Sequence, residues 1–414
     1  MADRRFVALD SWRGVAACLV ALFHLDAYSH LHDVPFLRNS WLFVDFFFVL
    51  SGFVIAANYQ QRLLDGFGMG RFLFLRLGRL YPLHFAMLAL FVAVELLKVL
   101  RRAVVPAAVW SLNPVAPFST PQEAPGTILA HLLLLQSLHL FDFLSWNVPS
   151  WSISTEFYTY VVFAACLAVL RRRAWIALVL ALTAGPALIA ILSERNLATV
   201  YDWGMIRCVY GFAAGVTAWN VYSKRNAWVE RRLSGSVAEL CVLALVVAFV
   251  SLAGTTVLSL AAPYLFALAV LVFAQERGAA SSVLRLPPLV FLGTLSYSIY
   301  MTHAFVERSW RDVALAAERH WHVGVFTHRN IDGQDTLFFG VQSWQGDIAY
   351  VVYLAMVIAM SYFTYRWIEK PGREWVRNRV WRASGREARG AAQPAPGPAR
   401  DPAPRGRPLE ELSR

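Results

Sequence analysis

Residues 236–254 read Ser-Val-Ala-Glu-Leu-Cys-Val-Leu-Ala-Leu-Val-Val-Ala-Phe-Val-Ser-Leu-Ala-Gly. Glu239 near one end is the only charge in this stretch. Wound as a helix at about 1.5 Å per residue, such a run covers a hydrocarbon layer about 30 Å thick. Comparable apolar runs recur at Val161–Leu170 and Tyr350–Met360. Over the whole 414 residues, 57% are hydrophobic and only 16% charged, against about a quarter charged in soluble domains. The expected fold is therefore all-α, a polytopic membrane helix bundle.

Working outward from that stretch, about ten spans are expected, near residues 8–28, 41–59, 80–100, 151–170, 174–192, 201–222, 236–254, 257–275, 289–308 and 347–368. A shorter apolar stretch, Ile128–Phe143, contains His131, Gln136 and His139. Charge distribution decides whether it crosses. With Arg4 and Arg5 in the cytoplasm, Arg62, Arg71, Arg76 and Arg79 also fall inside. Arg171–Arg173, Lys224, Arg225, Arg231, Arg232, Arg277 and Arg285 follow them only if 128–143 does not cross. That segment is thus expected to be re-entrant or interfacial, with both termini cytoplasmic. Arg101 and Arg102 fall on the unfavoured side.

The formal net charge of +11 does not imply nucleic acid, because its carriers sit in short loops and at the chain end. The segment after residue 369 holds eleven Lys/Arg against five Asp/Glu. This pattern orients spans and attracts anionic lipid heads. Domain boundaries are expected at 1–371 for the membrane domain and 372–414 for a basic tail, largely disordered beyond Ala383. The first apolar stretch lacks a small-residue cleavage site and is expected to remain as a helix. Cys18, Cys166, Cys208 and Cys241 all lie in apolar spans without metal spacing and read as small buried hydrophobes.

Ionisable groups inside spans carry the functional information, because each is costly there. The first span contains Asp10, Arg13 and His24. Arg13 and His24 are eleven residues apart, which returns to within about 20° on a helix and advances about 16 Å. One stripe thus offers a cation near the inner edge and an imidazole deeper in. Imidazole can take a proton from a hydroxyl near neutral pH. The same pair also suits a snorkelling arginine and a hydrogen-bonded core histidine.

Asp45 opens the aromatic run Asp45-Phe46-Phe47-Phe48-Val49-Leu50-Ser51-Gly52-Phe53. Its carboxylate suits either an intramembrane cation or His24, and Ser51-Gly52 would allow close helix approach. Arg76 and Arg79 in Arg-Leu-Gly-Arg-Leu-Tyr-Pro are spaced to share a helix face and clamp phosphates. Glu156 sits among hydroxyls and aromatics in Ser150–Tyr158, expected at the outer end of a span. Arg207 lies beside small residues, and His303 is a second intramembrane imidazole. Glu369 before Pro371 reads most simply as a helix end.

Taken in order, these segments resemble the acyltransferase-3 family of integral membrane acyltransferases over about residues 6–371. The motifs are Arg13-x10-His24, the FFFVLSGF run, the Arg76/Arg79 pair, WSISTEF, GTLSYSIYMTH and the terminal EKP. The resemblance implies acyl transfer from acetyl-CoA, taken from the cytoplasmic side, to a hydroxyl of a saccharide-containing acceptor such as a surface polysaccharide, lipopolysaccharide or lipo-oligosaccharide. It implies essential roles for Arg13 and His24, donor binding by Arg76 and Arg79, and a catalytic acidic position at Glu156. The segment around Glu156 is looser than the commoner acidic-aromatic form. Asp10, Asp45, Ser51, Arg207 and His303 are expected in support or substrate contact. The expected partners are an acyl-CoA, a carbohydrate or glycolipid acceptor and the lipid bilayer of a bacterial inner membrane, with no nucleic acid and no metal. The expected form is the stand-alone branch, without a fused hydrolase domain. A proton-coupled transporter or flippase for a sugar or lipid uses similar intramembrane residues and is the alternative from another class.

Overall fold

The computed structural model describes residues 5–104, 116–224, 231–331 and 333–391. Its longer helices are α1 (Val7–Phe23), α2 (Phe43–Ile55), α3 (Met69–Val104), α4 (Ser150–Leu170), α5 (Trp175–Leu192), α6 (Gly204–Ser223) and α7 (Ser236–Ala253). They are followed by α8 (Ala262–Phe273), α9 (Pro287–Trp321), α10 (Ser343–Thr364) and α11 (Lys370–Ala391). An antiparallel hairpin, β1 (Phe326–Ile331) and β2 (Gln334–Phe339), joins α9 to α10. The protein is an all-α, multi-pass membrane bundle.

Among the described residues, seven helical segments are long and apolar enough to cross a membrane. They contain α2, α3, α4, α5, α7, α9 and α10. The other three expected spans are also helical. The first is α1, seventeen residues long and carrying Asp10 and Arg13; the second is α6, interrupted by Arg207 and Asn220; the third is the short apolar stretch Val257–Phe273. The segment 128–143 does not span: one helical turn, Ile128–Leu132, gives way to irregular backbone. Its carbonyls are met by side chains instead, Leu132 by Tyr81 Oη, Leu133 by Tyr158 Oη and Leu134 by Ser154 Oγ. That satisfaction is what permits non-helical backbone against a membrane core.

Three boundaries differ from expectation. Helix α3 starts at Met69, so Arg76 and Arg79 lie inside a helix and not in a loop. Helix α9 runs on to Trp321, and the hairpin replaces the rest of the expected 308–347 loop. Helix α10 does not end at Glu369. A π-helical turn, Tyr365–Glu369, leads directly into α11, which passes through Pro371. A widened turn just ahead of a proline relieves the clash between its ring and the preceding turn. The expected boundary at 371/372 therefore falls inside a continuous helical course, and tail residues 392–414 lie outside the described residues.

Glycine sets the two closest helix contacts. Helices α1 and α9 run in the same direction, with Gly14 against the Leu292–Gly293 backbone and Gly293 against the Asp10 carbonyl. Gly52 of α2 meets the carbonyl of Phe212, and Gly215 of α6 meets that of Val49. The Ser51-Gly52 pair thus allows the close approach expected of it. The start of α1, the Arg171–Arg173 turn after α4 and the start of α11 mark one end of the bundle and make it the basic face.

Candidate active site

The charged residues picked out in the sequence separate into two clusters and one structural pair. The first cluster lies toward the basic face, between α1, α3, α4, α9 and the π-turn before α11. Arg13 donates from Nε to Ser296 Oγ (2.7 Å) and pairs with Asp10 at 3.6 Å. Asp10 also accepts from Arg5 Nε at 3.1 Å. Ser298, two residues along α9, donates to Glu369 Oε2 (2.8 Å), and that carboxylate is buried. Glu369 therefore faces the cluster and is not a simple helix end. It lies within electrostatic range of Arg79, Arg373 and Arg13.

Glu156 lies in the second turn of α4, among hydroxyls. Its Oε1 accepts from Ser51 Oγ (2.6 Å) and from the Tyr160 hydroxyl. Ser51 and Tyr160 are themselves 2.8 Å apart. Arg76 donates to Tyr59 Oη (3.0 Å), and its guanidinium carbon lies 4.7 Å from the Tyr59 ring centre. Tyr59 belongs to a second π-helical turn, Ala56–Gln60, which follows α2. Among the described residues, Arg79 forms neither a side-chain hydrogen bond nor an ion pair, yet it lies within electrostatic range of Glu369, Tyr160, Glu156 and Asp10. A guanidinium held among carboxylates without being consumed by one retains its donors for an incoming anion.

The second cluster is a pair of imidazoles at the far end of α1. His24 caps α1, and its Nδ1 lies 2.8 Å from the Val20 carbonyl oxygen. A carbonyl only accepts, so Nδ1 carries the proton and Nε2 presents a lone pair. Among the described residues, Nε2 has no hydrogen-bond partner. The His303 ring is centred 4.8 Å from that of His24. His303 is fully buried, and neither of its nitrogens has an aligned partner among the described residues. Arg13 and His24 both turn toward α9, meeting Ser296 and His303 respectively, so the common stripe read from their spacing exists in the fold.

Asp45 and Arg207 are brought to each other and not to either histidine. Arg207 donates from Nε to Oδ1 (2.9 Å) and from Nη2 to Oδ2 (2.8 Å), with both side chains essentially inaccessible. Its Nη1 donates to the Thr199 carbonyl (3.0 Å), and Trp41 and Trp151 flank the guanidinium at 5.2 Å each. Every guanidinium nitrogen is committed inside the fold. The pair locks α2 to α6, with the Arg207 side chain only 1% exposed.

Sequence reasoning missed Glu369, Tyr160, Ser296 and Ser298 as members of the first cluster. The available signal was helical spacing: Tyr160 is four residues from Glu156, and Ser296 and Ser298 share a span with His303. A cavity of about 240 Å³ lies between α4, α5 and α6, with Arg171 and Arg172 in its wall, and shares no residue with either cluster. Among the described residues, no group of three or more His, Cys, Asp or Glu is gathered to hold a metal ion.

Comparison with known proteins bears directly on these clusters. The acyltransferase-3 family model, described as an acyltransferase domain, matches residues 6–366, which include Arg13, His24, Arg76, Arg79, Glu156 and His303 but stop short of Glu369. The chain is also 34% identical over 165 residues to "Protein 2 in picA locus" of Rhizobium radiobacter, covering 39% of this chain and 81% of that protein. No solved structure matches. Since the family match runs unbroken from the first residues of α1 to the π-turn that carries Glu369, the chain belongs to the acyltransferase-3 family of acyltransferases.

Proposed function

We propose that this protein transfers an acetyl group from acetyl-CoA to a hydroxyl of a saccharide-containing acceptor, such as a surface polysaccharide, lipopolysaccharide or lipo-oligosaccharide. The reading places it in a bacterial inner membrane with the basic face and both termini in the cytoplasm. The observation that carries it is the His24 imidazole, whose Nδ1–H is tied to Val20 while Nε2 stays free. That tautomer is the one a general base needs.

In this mechanism the CoA phosphates meet Arg76 and Arg79 at the basic face, with Arg13 adjoining. The acceptor hydroxyl gives its proton to His24 Nε2 as its oxygen attacks the thioester carbonyl carbon. The carbon–sulfur bond breaks, and the thiolate leaves with the proton that His24 holds. Attack by Nε2 itself, giving a transient acyl-imidazole, is the two-step form of the same chemistry. Glu156 and Glu369 hold the arginine cluster in place by opposing its charge.

The test is transfer from radiolabelled acetyl-CoA in membranes containing wild type, His24→Ala or Arg13→Ala at matched protein levels. Wild type labels a glycan or glycolipid fraction, and both variants lose the label, His24→Ala by about 10²-fold or more. Full transfer by His24→Ala would remove the base assignment. A folded wild type that transfers no acetyl, succinyl or longer acyl group to host glycolipids would favour transport of a sugar or lipid instead.

A further inference from the structure

We propose that Ser343, His30 and Asp347 form a second nucleophilic site, at the end of the bundle opposite the basic face, that opens carboxylic esters of short acyl groups. Ser343 Oγ lies 3.1 Å from His30 Nε2, and His30 Nδ1 lies 2.7 Å from Asp347 Oδ2. A carboxylate oxygen only accepts, so the ring proton sits on Nδ1 and Nε2 is left to accept from the Ser343 hydroxyl. This is the order of contacts in which a serine becomes a nucleophile, recognisable by geometry on any fold.

The three groups sit on two pieces of backbone that are firmly joined. Asp347 Oδ1 also accepts from Ser29 Oγ (2.6 Å) and from the His30 N–H (3.1 Å). The loop carrying Ser29 and His30 pairs with β2, through Tyr28 N–H to the Phe339 carbonyl (2.8 Å) and Phe339 N–H to the Asp26 carbonyl (2.9 Å). Gly346 in the first turn of α10 leaves room for the Tyr28 carbonyl, so the loop can lie directly on the helix. His30 nevertheless keeps 71% of its side chain exposed, and Ser343 is only half-buried, so an ester can reach both.

Ser343 is the first residue of α10, a helix of 22 residues. Among the described residues, the N–H groups of Ser343 and Trp344 have no acceptor, whereas that of Gln345 is taken by the Gln342 carbonyl. Two free donors at the positive end of a long helix are available to an oxyanion formed on an acyl carbon at Ser343 Oγ.

The chemistry balances without a further reactant beyond an ester and an acceptor. The Ser343 hydroxyl proton passes to His30 Nε2 as Oγ bonds to the ester carbonyl carbon. The bond from that carbon to the alcohol oxygen breaks, and the alcohol leaves with the proton held by His30. Water or a second hydroxyl then attacks the acyl-serine, again giving its proton to Nε2, and the acyl group departs as acid or as a new ester. This site is independent of the His24 reading and stands or falls without it.

The experiment uses the purified full-length protein in detergent with a fluorophosphonate probe, the adduct located by mass spectrometry, and with p-nitrophenyl acetate as a turnover substrate. Wild type takes the probe at Ser343 and hydrolyses the ester. Ser343→Ala, which removes one half-buried hydroxyl and leaves thermal unfolding unchanged, loses both. His30→Gln slows labelling by about a hundredfold while the protein stays folded. A folded wild type without probe on Ser343, or a His30→Gln protein labelled as fast as wild type, overturns the proposal and leaves the trio as a clasp between the loop and α10.

Discussion

Removing the Arg207 guanidinium should cost more stability than removing any other charge inside the bundle. Arg207→Met leaves the Asp45 carboxylate at 0% exposure with no countercharge. Breaking a buried pair from one side costs about 3–5 kcal/mol. The orphaned Thr199 carbonyl adds about 1 kcal/mol. A total of that order is a large share of the roughly 5–15 kcal/mol that holds a domain together. It corresponds to a fall in melting temperature on the order of 10 °C. Asp45→Leu combined with Arg207→Met removes both charges, and a well-packed apolar replacement is often neutral or better. The double variant should therefore recover most of the loss, retaining only the Thr199 deficit. Thermal unfolding in detergent, followed by tryptophan fluorescence, measures all three proteins, and transfer activity is normalised to the folded fraction. If Arg207→Met melts with wild type yet transfers nothing, Arg207 acts on a substrate and the keystone assignment is wrong.

Arg79→Lys keeps a charge but loses the planar fork, so the apparent KM for acetyl-CoA should rise about tenfold, roughly 1.4 kcal/mol, with a smaller change in kcat; an unchanged KM would take Arg79 out of donor binding. Gly215→Val drives a side chain into the Val49 carbonyl and to 2.8 Å from the Phe53 nitrogen, and should destabilise by at least about 1–3 kcal/mol. Gly70→Ala, with nothing within 4 Å of the added carbon, should leave the melting temperature unchanged or slightly raised. Burial opposes ionisation of Asp202, but hydrogen bonds from the Thr199 hydroxyl and from backbone N–H groups outweigh it and hold the carboxyl below its ordinary range. A depressed carboxyl stabilises above its unfolded pKa and loses that contribution as pH falls through the folded one. The stability gap between wild type and Asp202→Asn should accordingly be flat from about pH 8 to 6 and narrow as pH drops below about 4.

The helices were legible because a bilayer demands a fixed apolar length and the chain supplies it in discrete blocks. All ten expected spans are helical, although α1 and α6 carry charges that weaken their apolar signal. The same logic misplaced the start of α3, since basic residues that anchor a loop also suit the end of a long helix, where Arg76 and Arg79 reach back over the protein. Pro371 misled in the opposite sense: it reads as a stop, and a π-turn before it lets the helix continue. Within the site, the Arg13–His24 stripe followed from helical geometry alone. Partnerships across helices did not. Asp45 had two possible partners by residue type, and only packing assigns it to Arg207. Glu156 is likewise joined to Ser51 through an alignment of α2 with α4 that no local pattern encodes.

The π-turn at Tyr365–Glu369 has a consequence for how the chain tolerates change in length. A π-turn amounts to one extra residue within an α-helix. Each α residue turns a helix by about 100°, and the wider π-turn absorbs that rotation, so the helix beyond it keeps its phase. Losing a single residue there would restore ordinary winding and leave α11 facing the same way, whereas a loss just beyond it, at Lys370, would swing the rest of α11 by roughly that angle. Gly78 now lies against Val376, and Gly372 against Pro82. Those small residues would rotate out of contact and bulky neighbours would take their place. A one-residue deletion within 365–369 should thus be better tolerated than one just beyond it, where only a nearby insertion would restore the phase.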